Sequence, residues 1–239
     1  MRFAFDIDRL AAFAAREHDA YARAAPFPHA VIDGLLRDDA AAALAAALPG
    51  PDDDIGWDRY AAEGFEMKLA CADATRLPAP VVRVLLEFNS GPFIAFLEAL
   101  TGIPHLLPDP HLLGGGVHLV GPGGHLGVHA DFNWHPALQA HRRLNLLLYL
   151  NERWDPAWGG DLELWSTDAA RRERSIAPLH NRAVVFDTRS DTFHGHPAPL
   201  ATPDGIWRRS IAMYYYTTTR PPEQLREPHG TRYKGLHLA

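Results

Sequence analysis

Gly123–Pro136 reads GGHLGVHADFNWHP, with His129 and Asp131 two residues apart just after a glycine-rich stretch. If the segment is extended, residues i and i+2 point to the same face, and the two side chains converge on one spot. Such a couple is either a buried hydrogen-bonded pair or two-thirds of a metal site. His-x-Asp alone is a weak signal. The surrounding sequence has to separate the two readings.

Working outward, Gly, Pro, His and β-branched or aromatic runs dominate from about residue 105 onward. HLLGGGVHLV, GHLGVHAD, RRLNLLLYLN, DLELWS, RERSIAP, NRAVVFDT, TFHGHPA and RRSIAMYYYTT have the short regular spacing of strands in an all-β sandwich or barrel. The preceding hundred residues read as mainly helical. Leu10, Phe13, Ala14, Glu17 and Tyr21 recur at helical spacing over residues 6–25, and RDDAAAALAAAL has acids in its first turn. APVVRVLLEFN and PFIAFLEALTG each open near a proline. HAVID reads as a short strand ending at Asp33-Gly34, and the acid- and Trp-containing stretch after Pro49 reads as a loop. No Pro/Gly/Ser linker separates the halves, so residues 1–239 are expected to form a single domain. Its parts are a mainly helical 1–104, a β core over 105–220 and a tail over 221–239.

Composition narrows the function classes. The chain has 239 residues, 47% of them apolar, enough to bury a large core without disulfides. A net charge of -6 with scattered basic residues gives no nucleic-acid face. The single cysteine, Cys71, excludes an intrachain disulfide and suits a reducing compartment. The N-terminus lacks the uninterrupted apolar core of a signal peptide, and no apolar run approaches bilayer-spanning length. The expectation is a cytoplasmic protein with no membrane or nucleic-acid partner; oligomeric state is not legible. Gly114–Gly116 lack the Gly-Lys-Ser/Thr of a phosphate loop and fit a bend or a close backbone approach.

A third ligand would complete a two-His, one-carboxylate triad with open coordination positions, the set associated with non-haem Fe(II) oxygenases. RSDTFHGHPAPL offers His194 and His196, which share a face if extended, so pattern alone leaves both open.

With these pieces in order, the chain resembles the Fe(II)- and 2-oxoglutarate-dependent dioxygenases, in the prolyl 4-hydroxylase-like branch of the double-stranded β-helix fold. The resemblance covers about residues 105–220, and PFPHAVIDGLL also looks like the family's N-terminal entry. It implies a mainly β, α+β fold: a jelly-roll core flanked by the N-terminal helices. HAD matches the family's ligand pair, His129 and Asp131. HGHPAPL aligns with His194 as the distal ligand and His196 in a position that is usually apolar. RRLNLLLYLN implies Tyr149 as a co-substrate contact, WGGDLELW matches the following turn and strand, and RRSIAMYYY implies Arg208 as the 2-oxoglutarate anchor. Arg209 would then face the other way by strand alternation, although the stretch ATPDGIW makes the turn before it longer than usual.

The resemblance implies Fe(II), 2-oxoglutarate and O2, with ascorbate as an accessory reductant. The implied reaction hydroxylates an unactivated C–H bond of an amino acid, prolyl peptide or other small molecule, releasing succinate and CO2. Asp131 at the carboxylate position argues against halogenation. FNWHP after the ligand pair puts Asn133, Trp134 and His135 forward as substrate contacts, because loops at a barrel mouth carry specificity. Two other readings remain open from the sequence: a non-catalytic binding or sensor protein of the same fold, and a zinc hydrolase using the same ligands.

Overall fold

A computed structural model describes residues 2–62 and 66–234. Helix α1, Ile7–Arg23, starts where the Asp6 side chain accepts the Arg9 N–H, and it buries Leu10, Ala14 and Tyr21. Strand β1, His29–Asp33, and helix α2, Asp38–Ala47, follow as the sequence pattern implies. The next stretch departs from expectation. β2, Asp58–Ala62, and β3, Glu66–Cys71, form an antiparallel hairpin where a loop was expected. Neither strand is long enough to show its alternation, and the hairpin is held by pairing with strands far ahead in the sequence. Helices α3, Ala79–Phe88, and α4, Gly91–Thr101, complete the helical layer, and α4 ends at Gly102 in the left-handed region.

The rest is strand. β4 is Leu107–Pro108, β5 Gly116–Val120, β6 His125–Ala130, β7 Trp134–His135 and β8 Ala140–Tyr149. β9 is Leu162–Trp165, β10 Arg172–Ile176, β11 Arg182–Asp187, β12 His194–His196, β13 Arg208–Thr217 and β14 Arg232–Tyr233. The main ladder runs β1-β11-β8-β13-β5-β3-β6-β12-β9-β10, one antiparallel sheet that curls on itself because β3 pairs with both β5 and β6. This curled sheet is the double-stranded β-helix core, with the helices packed on one of its faces. β5 begins only at Gly116, so HLLGG is turn and not strand. A Cβ on Gly116 would run into the Cys71 carbonyl, which explains the glycine run by close backbone approach.

Side-chain alternation then divides the long strands between two interiors. Leu144, Leu146 and Leu148 of β8 and Ile211, Met213 and Tyr215 of β13 join the helices in the main core. Phe93 of α4 is fully buried there, its ring 5.2 Å from Phe5 and 4.7 Å from Phe88. Asn145, Leu147, Arg208, Ser210 and Tyr214 point the other way, into the mouth of the curled sheet. Both faces are therefore covered, and β8 and β13 are buried along nearly their whole length. Among the described residues no single helix is long and apolar enough to cross a membrane.

Candidate metal centre

β12 lies against β6 with His194 opposite His129. Gly195 makes that approach available: a Cβ there would lie 2.7 Å from the carbonyl oxygens of both Gly127 and Leu126. His129, Asp131 and His194 consequently offer ligand atoms that all lie within 4.8 Å of one another. His129 Nε2 is 3.5 Å from one Asp131 oxygen and His194 Nε2 is 3.4 Å from the other.

The tautomers follow from the backbone. His129 Nδ1 is 2.8 Å from the Gly127 carbonyl and His194 Nδ1 is 3.1 Å from the Thr192 carbonyl. A carbonyl only accepts, so each Nδ1 carries a proton, which in the neutral ring leaves Nε2 to present its lone pair toward Asp131. Burial lowers the His194 pKa to about 4 despite the pull of Asp131, so its ring is neutral near neutrality. Burial works to raise the Asp131 pKa, but Arg142, His194 and His129 outweigh it and hold the carboxyl well below its ordinary value. Two bare imidazole lone pairs facing a buried carboxylate call for a cation between them. The donor set, two neutral imidazoles and one carboxylate, fits Fe(II).

The second Asp131 oxygen is fixed from behind. It accepts from Asn145 Nδ2 at 2.8 Å and pairs with Arg142 Nη2 at 3.1 Å. Arg142 is almost fully buried, its guanidinium 3.5 Å from the Tyr214 ring centroid and 4.3 Å from that of Phe132. Strand phase counted back from Tyr149 places Arg142 on the helix side. A β-bulge reverses it: Tyr215 pairs with Leu144 and Tyr216 with Arg142, leaving Arg143 as the extra residue.

The triad opens on a cavity of about 260 Å³ whose far wall carries Arg208. Arg208 donates from Nε to the Gly160 carbonyl at 2.7 Å and from Nη2 to the Tyr149 hydroxyl at 3.2 Å, with its guanidinium over the Tyr149 ring. Arg209 points out of the cavity and donates to the Leu48 carbonyl at 2.8 Å. His196 is buried in the cavity wall and stands outside the triad; a register shift separates it from His194. Its Nδ1 lacks a hydrogen-bond partner. Burial, then Arg208 and Lys68, push the His196 pKa well down, so the ring is neutral.

Of the residues expected as substrate contacts, Asn133, Trp134 and His135 do not line the cavity. Asn133 holds the segment after β13, receiving the His229 N–H at 2.8 Å and donating to the Glu227 carbonyl at 2.9 Å. Trp134 packs edge-on against His141, and His135 Nε2 lies 3.3 Å from buried Asp109. The chain turns out of β6 after Asp131, so of FNWHP only Phe132 borders the cavity. Trp154 and Trp158 pack edge-to-face at the Gly159–Gly160 turn. Sequence reading passed over Lys68, His118, Arg142, Asn145, Tyr214 and Tyr233, all of which border the cavity. Counting back by twos from Tyr149 finds Asn145, and counting forward from Arg208 finds Tyr214. No local signal finds the others.

Comparison with known proteins agrees with this geometry. Residues 115–216 match the 2OG-Fe(II) oxygenase superfamily. The chain is 31% identical over 111 residues to prolyl 3-hydroxylase OGFOD1 of Mus musculus, a match covering 41% of this chain and 20% of the mouse protein. It therefore spans about a fifth of that relative's length. Among solved structures, a prolyl 4-hydroxylase from Phytophthora capsici superimposes with a TM-score of 0.61 at 24% identity, covering 95% of this chain and 71% of that one. A Pseudomonas putida prolyl-4-hydroxylase gives 0.57 at 20% identity, covering 87% and 98%. Residues 115–216 thus match the 2OG-Fe(II) oxygenase superfamily, and the chain has the fold of the prolyl 4-hydroxylase structures.

Proposed function

We propose that the chain is an Fe(II)- and 2-oxoglutarate-dependent hydroxylase acting on an amino-acid or prolyl-peptide substrate. One observation carries this reading: His129, Asp131 and His194 turn their ligand atoms into the cavity that Arg208 closes at its other end. Bound there together, Fe(II), 2-oxoglutarate and O2 supply oxidative decarboxylation to succinate and CO2 and the power to hydroxylate an unactivated C–H bond.

The chain's own residues provide position and charge. Arg208, braced by Gly160 and Tyr149, offers a fixed cationic fork to the distal carboxylate of a dicarboxylic acid. Burial raises the Tyr149 pKa despite Arg208, so the phenol keeps its proton and has one to donate. Arg142 and Asn145 keep the Asp131 carboxylate ionised and aimed. The mostly buried walls exclude water from the reacting group.

The test is succinate formation with Fe(II), 2-oxoglutarate and ascorbate over a panel of free amino acids and prolyl peptides, with mass spectrometry for a gain of one oxygen. Substrate-stimulated succinate supports the reading. Neither stimulated nor uncoupled succinate would leave the sensor reading in its place, and activity without O2 and 2-oxoglutarate would favour the hydrolase.

A further inference from the structure

The segment after β13 does not trail away from the fold. Arg220 anchors its root, donating to the Arg142 carbonyl at 2.8 Å and to the Thr188 carbonyl. The chain then crosses Asn133, where the Asn133 N–H donates to the His229 carbonyl at 3.3 Å and the His229 N–H returns to Asn133 Oδ1 at 2.8 Å. Ser190 Oγ lies 2.7 Å from His229 Nε2. It ends as β14 on the edge of β6. β3 covers that edge at His125 and Leu126, and β14 covers it at His129 and Ala130. Lys234 N donates to the Val128 carbonyl at 2.7 Å, and Lys234 Nζ lies over the Trp165 ring. This pairing brings the Tyr233 ring to 5.4 Å from the His129 imidazole, and both Thr231 and Tyr233 border the cavity.

We infer that residues 221–234 form a wall of the substrate room latched by Asn133, and that Tyr233 determines the size of the group accepted beside His129. The inference rests on the oxygenase reading above. A cavity of about 260 Å³ that also takes a five-carbon diacid has little space left, so one aromatic side chain on its border decides what else enters. Nothing in the matched family region supplies this side chain, which lies beyond residue 216. The strand edge it covers carries the metal ligands, so any loosening of the wall opens the room where the substrate must sit.

The experiment loads the full chain with Co(II) and N-oxalylglycine and measures, by calorimetry, affinities for imidazole and for the bulkier 4-phenylimidazole as added metal ligands. Wild type and Tyr233→Phe should prefer the small compound by at least about tenfold, the scale on which packing discriminates added bulk. Tyr233→Ala and Asn133→Ala should shrink that preference by about fivefold or more. Asn133→Ala should also speed tryptic cleavage at Arg226 and Arg232, reporting the released latch. An unchanged preference in Tyr233→Ala and Asn133→Ala, with both compounds still binding, overturns the wall. Failure of wild type to bind Co(II) or N-oxalylglycine overturns the oxygenase reading, and the wall with it.

Discussion

His194 stands directly across the β12–β6 ladder from His129, with the two ring centroids 4.4 Å apart. Both rings donate Nδ1–H to a carbonyl two residues earlier in the chain, so both aim Nε2 at the same carboxylate. A metal site assembled this way depends on strand pairing as much as on ligand identity.

His129→Ala, Asp131→Ala and His194→Ala should each weaken Co(II) binding by at least about 100-fold, since losing a ligand costs no less than losing its support. His196→Ala should keep the metal. Titration followed by the visible Co(II) spectrum checks this, and the opposite result for His194 and His196 would reassign the distal ligand.

Removing the support behind Asp131 should be milder. Asn145→Ala deletes the 2.8 Å bond to the carboxylate while leaving all three ligands in place. Metal affinity should fall about 10- to 100-fold, the range for outer partners of a metal ligand. The same titration reads it.

Arg208 and Arg209 are neighbours in sequence with opposite surroundings. Arg208→Ala should raise the KM for 2-oxoglutarate by about 30-fold or more, because truncating a buried hydrogen-bonded charge pair costs about 2 kcal/mol or more. Arg209→Ala, which removes a bond to the Leu48 carbonyl outside the cavity, should leave that KM within about twofold. Steady-state succinate formation against 2-oxoglutarate concentration separates the two.

His118 is half-buried on the cavity wall, and desolvation there lowers its pKa from 6.5 to about 3, with Lys68 adding to the effect. Between those values the unfolded chain takes up a proton that the folded chain refuses, so folding stability falls as pH drops. Its contribution is whole above pH 6.5 and is lost progressively toward pH 3. Melting temperature of the metal-free protein should therefore decline through that window, and His118→Gln should flatten the decline.

Phe93 ties α4 to α3 and β13, touching Phe5, Phe88, Phe96 and Tyr215. Phe93→Ala should cost about 3–5 kcal/mol through lost contact and the cavity left behind. Urea unfolding measures this, and a cost below about 1 kcal/mol would mean that the helical layer closes over the gap.

Much of the fold was legible because its signals are local. The helices over residues 7–23, 38–47, 79–88 and 91–101 declare themselves by periodicity, first-turn acids and opening prolines, and the eight expected strands all contain observed ones. Two residues of the triad were legible for the same reason, since an extended backbone puts i and i+2 on one face whatever lies around it. Strand alternation also set Arg208 and Arg209 on opposite faces.

The tertiary structure decided what depends on partners distant in the chain. It chose His194 over His196, because Gly195 and a register shift against β6 bring only the former ring to Asp131. A bulge at Arg143, visible only in the pairing of β8 with β13, turned Arg142 inward to Asp131. It made β2 and β3 strands, set Asn133 against a returning segment, and brought Tyr233 beside His129, about a hundred residues earlier. Local pattern carries the direction of a side chain relative to its own strand, but register, bulges and edge pairing are settled by which strand lies alongside.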